Sequence, residues 1–115
     1  MKTGQTITLT QHVGALLAWL DTANPRTDHE TAMRIMKIGE EFGEVVSAYI
    51  GVTGQNPRKG VSATHADLTG ELCDVIIAAM CALATVADGA DDAEQILRTH
   101  LAVRYPRLLR LLDAA

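Results

Sequence analysis

Apolar residues recur along most of this chain at helical spacing, and no stretch alternates with period two for long enough to make a strand. Ile7, Leu9, Val13, Leu16, Leu17 and Leu20 define a first helix over about residues 8–22, which Asn24-Pro25 ends. Thr27 followed by Glu30 forms a capping box for a second helix that reaches about Ile50. The segment GVTGQNPRKGVSATH is dense in Gly, Asn, Pro and Ser and reads as a loop. Thr64 or His65 opens a third helix that continues to about Asp88, with Gly89 as its C′ residue. Asp91 or Asp92 caps a fourth helix, which Pro106 is expected to kink or split, leaving RLLRLLDAA as a short terminal piece. The expected fold is all-α: a four-helix bundle-like core with a short kinked C-terminal helix, one domain over residues 1–115.

About 100° per residue turns the second and third helices into maps of two faces. On the second, Ile35, Ile38, Phe42, Val45, Val46 and Tyr49 form an apolar stripe. Beside it run Lys37, Glu40, Glu41 and Glu44, continued by the small Ala48. On the third, Leu68, Leu72, Val75, Ile76, Ala79, Leu83 and Val86 make the apolar stripe, flanked by Asp67, Glu71, Asp74 and then Ala78. Packing the two apolar stripes together brings the acidic edges towards each other, so up to six carboxylates converge in one cleft. Uncompensated, they repel and take up protons. Mg²⁺ resolves the conflict, because it prefers hard oxygen ligands and keeps waters and substrate phosphates in its shell. Ile77 and Met80, opposite the main stripe, are expected to point out of the chain and to serve a homodimer or dimer of dimers.

Composition narrows the function classes. The apolar share is 48%, ample for one core, and aromatic residues make up only 3%, which favours helices over sheets. A net charge of −4 disfavours a nucleic-acid polymer as partner, but not a nucleotide approached through a metal. Cys73 and Cys81 would lie about 12 Å apart on one helix, too far for a disulfide, and read as buried thiols. The N-terminal stretch lacks a signal-peptide h-region and Val75–Val86 is too short to span a bilayer, so a cytoplasmic protein is expected, with no membrane partner.

Glu40-Glu41-x-x-Glu44, then 26 residues, then Glu71-x-x-Asp74, resembles the signature of the MazG-like all-α nucleoside triphosphate pyrophosphohydrolases. The resemblance covers about residues 30–88. It implies that Glu41, Glu44, Glu71 and Asp74 bind Mg²⁺, with Mn²⁺ as a substitute, and that Glu40 is a further ligand or the base for the attacking water. Glu40 and Glu41 are then the catalytic candidates. Lys37, Arg58 and Lys59 become candidates for the substrate phosphates, with Arg104 from the fourth helix. The implied activity is hydrolysis of ribo- or deoxynucleoside triphosphates to monophosphate and pyrophosphate, as nucleotide-pool housecleaning. Many members carry an asparagine where this chain has Cys81, so base recognition does not transfer. His12 and Trp19 could touch a base, although Trp19 reads as core and His12 as surface.

Two other readings exist. A di-iron carboxylate bundle would need Glu-x-x-His on two helices, and no Glu here has a His three residues on. A non-enzymatic helical module could associate through the third helix and use the acidic face for solubility or partner recognition.

Overall fold

The computed structural model describes residues 6–114. It contains four helices: α1 (Leu9–Ala23), α2 (Asp28–Thr53), α3 (His65–Val86) and α4 (Ala90–Ala114). Among the described residues there is no strand. Three N-caps are threonines with extended backbone. Thr8, Thr27 and Thr64 each accept a hydrogen bond from the backbone N–H three residues on, which satisfies a donor the helix itself leaves open. Gln11 and Asp67 return the bond to the cap backbone, completing two capping boxes.

The helix ends differ from expectation by short stretches. α2 continues one turn past Ile50 and stops at Gly54, whose φ of 68° only glycine adopts cheaply. α3 stops at Val86, two residues early, and Gly89 takes φ 98° in the link to α4. α4 starts at Ala90, where the Asp92 carboxylate accepts the Asp88 backbone N–H. It then runs unbroken through Pro106, so the expected separate C-terminal piece does not form. The proline lies on an exposed side, where water can serve the carbonyl its missing N–H leaves free, and strong helix formers flank it.

α3 is the hub: it packs against α2, α1 and α4, whereas the backbone of α2 comes close to that of α3 alone among the helices. Val13 and Leu17 of α1, Met80, Cys81 and Ala84 of α3, and Ala93 of α4 form the core, with Leu9, Leu16, Leu20 and Leu83 packed around it. Met80 is therefore an intrachain core residue, and Ile77 is half-buried; neither points out of the chain as expected. α1 and α4 cover Met80, and Ile77 lines the cleft beside α1.

The α2–α3 contact is shifted from the expected apolar stripes towards their acidic edges. Along it lie the buried and half-buried Glu41, Val45, Ala48 and Val52 of α2 and Glu71, Val75, Ala78 and Ala82 of α3, while Ile38, Leu68 and Leu83 of the expected stripes are half-buried as well. Small residues let the two backbones approach closely, so the contact runs along the acid-and-alanine edge. The large apolar side chains Ile35, Phe42, Val46 and Tyr49 of α2, and Leu72, Ile76 and Val86 of α3, remain exposed. Cys73 is exposed too, against expectation, while Cys81 is buried.

Composition alone would let α3 cross a bilayer, being 22 residues long with a mean hydropathy of 1.7 over its most apolar window. The reading of Val75–Val86 as the whole apolar run was too short. The radius of gyration is 17.6 Å, well above the about 13 Å of a compact domain this size. The excess comes from α4: Ala93 is its last buried residue, and the helix beyond it stands clear of the body.

Candidate metal centre and cleft

α2 and α3 meet with their acids in the seam. Carboxylate oxygens of Glu41, Glu44 and Glu71 lie within 4.8 Å of one another. Glu41 has only 14% of its side chain exposed. One oxygen of Glu41 and one of Glu71 are buried without any hydrogen-bond partner. A buried carboxylate oxygen without a donor costs free energy, and neighbouring negative charge adds to the cost. The strain registers at Glu44: the Glu71 carboxyl beside it, as proton-sharing partner and as like charge, raises its pKa above the ordinary 4.5, with desolvation adding to the effect.

The donor set suits a hard divalent cation. All three groups offer oxygen, two offer an orphaned one, and their spread is close to the about 4 Å between opposite ligands of a six-coordinate Mg²⁺. The four expected ligands thus divide: Glu41, Glu44 and Glu71 converge, and Asp74, one turn beyond Glu71, lines the adjoining cleft. Asp67 belongs to the α3 cap instead, where the Thr64 backbone N–H and hydroxyl hold its pKa below the ordinary range. Glu40 is exposed and ion-paired to Lys37, which also reaches Glu41 at 3.4 Å. The Glu40 contact raises the Lys37 pKa, so the ammonium stays charged at the rim of the acidic cluster.

The cleft has a volume of about 650 Å³ and runs from Lys37, Glu41 and Asp74 along α1 to Trp19, Leu16 and Met33. That volume suits a small organic ligand. Trp19 is 65% exposed on its wall, not core as expected, because the core forms on the Val13–Leu17 side of α1. His12 is exposed, as anticipated, and also lines the cleft. Arg58, Lys59 and Arg104 do not line it. Arg58 and Lys59 sit in the α2–α3 loop, with the Arg58 backbone bonded to Asn56, and Arg104 contacts His100 on α4. Of the four cations expected at the substrate, the fold brings only Lys37 to the cleft.

One group went unforeseen. Arg34, 5% exposed, forms ion pairs with Glu30 (2.8 Å) and with Asp21 of α1 (3.0 Å), and donates to the Thr85 hydroxyl of α3 (3.2 Å). Burial opposes its charge, but the two carboxylates outweigh it and raise its pKa. Arg26 adds paired bonds to Asp21 and one to the Thr85 carbonyl. The Glu30–Arg34 spacing, four residues on one helix face, was the only signal for this network in the sequence. Comparison of the chain with protein-family models, curated proteins and solved structures gives no match.

Proposed function

We propose that the protein is a Mg²⁺-dependent nucleoside triphosphate pyrophosphohydrolase, with Glu41, Glu44, Glu71 and Asp74 as metal ligands. The observation that carries this reading is the pair of orphaned, buried oxygens on Glu41 and Glu71, facing a third carboxylate at the end of an open cleft. Bound Mg²⁺ supplies neutralisation of phosphate charge and a water of lowered pKa.

The side chains divide the remaining work by position. Lys37, held charged by Glu40 and Glu41, meets phosphate oxygens at the acidic end of the cleft. Glu40, the exposed carboxylate of the group, accepts the proton of the attacking water. Trp19, Leu16, Met33 and Ile77 give the far end of the cleft an apolar wall for a base and sugar. The buried Arg34 is fully engaged by Asp21 and Glu30, so it fixes α1 against α2 and is not free for phosphate. The choice of the α-phosphate as the point of attack rests on the resemblance of Glu40-Glu41-x-x-Glu44 and Glu71-x-x-Asp74 to the MazG-like signature.

The test is a product assay over a panel of ribo- and deoxynucleoside triphosphates with Mg²⁺ or Mn²⁺ in ¹⁸O-labelled water. Equal amounts of monophosphate and pyrophosphate, with label in the monophosphate, support the reading. Label in free orthophosphate would show attack at the γ-phosphorus. If no nucleotide turns over and calorimetry detects no metal-dependent nucleotide binding, the acidic seam serves association and the enzymatic reading fails.

A further inference from the structure

The far end of the cleft carries a polar strip that the Arg34 clasp uses only in part. Asn24 and Glu30 line the cleft together with Trp19. Glu30 lies eleven residues before Glu41 on α2, about 16 Å along the helix axis, with 14% of its side chain exposed. Its Oε2 accepts two hydrogen bonds, from Arg34 Nε (2.8 Å) and from Asn24 Nδ2 (3.4 Å). Among the described residues nothing donates to Oε1, and that oxygen is not sealed from solvent. The bond to Glu30 turns the nitrogen of the Asn24 amide towards the carboxylate, which leaves Oδ1 without a donor as well. Arg34 fills neither oxygen, because its terminal nitrogens go to the Thr85 hydroxyl and to Asp21.

Two unfilled acceptors, one of them charged, therefore stand in the wall that Trp19 shares. A base reaching this strip is met chiefly by acceptors, so it must bring donors. Cytosine and adenine turn an exocyclic amino group with two hydrogens to that edge, and guanine turns an N–H beside an amino group. Uracil and thymine turn one N–H flanked by two carbonyl oxygens. A carbonyl would then face an acceptor and the Glu30 charge, and buried polar groups on both sides would go unpaired.

We propose, resting on the reading of the cleft as a nucleotide site, that Asn24 and Glu30 select nucleotides whose base carries an exocyclic amino group and reject those of uracil and thymine. The base stacks on Trp19 and presents its Watson–Crick edge to the two oxygens. The clasp then serves recognition as well as stability, since Arg34 and Asn24 together hold the Glu30 carboxylate in one orientation.

Trp19 is the single tryptophan of the chain, so quenching of its fluorescence reports directly on a base in the cleft. The protein is titrated, in Mg²⁺, with the α,β-methylene analogues of CTP, ATP, GTP, UTP and dTTP, which cannot be cleaved between the α- and β-phosphates. Turnover of the natural triphosphates is measured separately. The three amino-bearing analogues are expected to bind at least about tenfold more tightly than the other two. Asn24→Ala, at an exposed position outside the core, should keep the fold and shrink that preference several-fold. Glu30→Gln, whose amide can turn an N–H towards a carbonyl, should cancel or reverse it. Each preference is a ratio between bases on one protein, so lost stability in Glu30→Gln does not imitate the effect. Equal binding of all five analogues overturns the proposal, as does a preference that both variants leave intact, or quenching by none. Turnover separates this from the enzymatic reading: hydrolysis with equal binding removes the base selection alone, whereas selective binding without hydrolysis supports the selection and removes the enzyme.

Discussion

Two clusters of ionisable groups lie on the same helical hairpin and meet burial in opposite ways. Around Arg34, every charge has a partner of opposite sign: Asp21, Glu30, Arg26 and the Thr85 oxygens close the network from three helices. Around Glu44, two turns or more along α2, three carboxylates face one another and two oxygens have no donor at all. The first is complete within the chain and works as a clasp. The second is incomplete within the chain, and on the proposed reading a divalent cation would supply what it lacks. Buried charge by itself therefore does not mark a functional site; the proposed site rests instead on buried charge of one sign, left unsatisfied beside an open cleft.

The largest effect should come from removing a ligand at the incomplete cluster. Glu71→Gln or Asp74→Asn keeps the volume and removes the charge, and should lower kcat/KM at least 100-fold with the fold retained, as measured by steady-state kinetics and circular dichroism. Retention of more than about a tenth of the wild-type rate in both variants would falsify the metal assignment.

At the complete cluster the same kind of change should act on stability instead. Arg34→Met leaves Asp21 and Glu30 facing each other, and should cost about 3 kcal/mol in urea unfolding. An unchanged midpoint would show that the network contributes nothing net and that the contrast drawn above is false.

The two clusters should also respond to pH with opposite signs. Glu44 titrates above its ordinary 4.5 in the folded state, so without metal the native protein binds more protons than the unfolded chain in that window. Stability then falls as pH rises through the raised value, and Glu44→Gln should remove that slope and raise Tm. Asp21 is held below its ordinary 3.8, chiefly by Arg26 and against the pull of desolvation. Its contribution is present above 3.8 and is lost as pH falls through the lowered value. Thermal unfolding across pH, with and without Mg²⁺, separates the two, and Mg²⁺ should abolish only the Glu44 component.

The smallest effect belongs to the cleft wall that joins the clusters. Trp19→Ala should raise KM about tenfold for a nucleotide whose base stacks there, with kcat little changed. Equal KM values for the two proteins would move the base elsewhere.

Much of this was legible in the sequence, because it depends on local physics. Threonine caps, terminating glycines and 3.6-residue periodicity act within a few residues, and they placed four helices to within a turn. The carboxylate spacing on α2 and α3 likewise put Glu41, Glu44 and Glu71 on facing edges, since four residues make one turn. Periodicity could not say which of several adjacent stripes each helix would bury. Apolar stripes on α2 and α3 looked like mates, but small residues at Ala48, Ala78 and Ala82 let the backbones close along the acidic edge, which left Phe42 and Ile76 outside, while α1 and α4 enclosed Met80. Nor could spacing show that Asp21, thirteen residues away on another helix, would meet Arg34, or that Arg58, Lys59 and Arg104 would stay out of the cleft. Pro106 misled for a related reason: its local cost is real, but one lost hydrogen bond on an exposed face does not outweigh two flanking runs of helix formers. The sequence by itself determined the elements and the chemistry each face carries. Only the tertiary structure decided which faces meet, because that choice depends on how closely two backbones can approach.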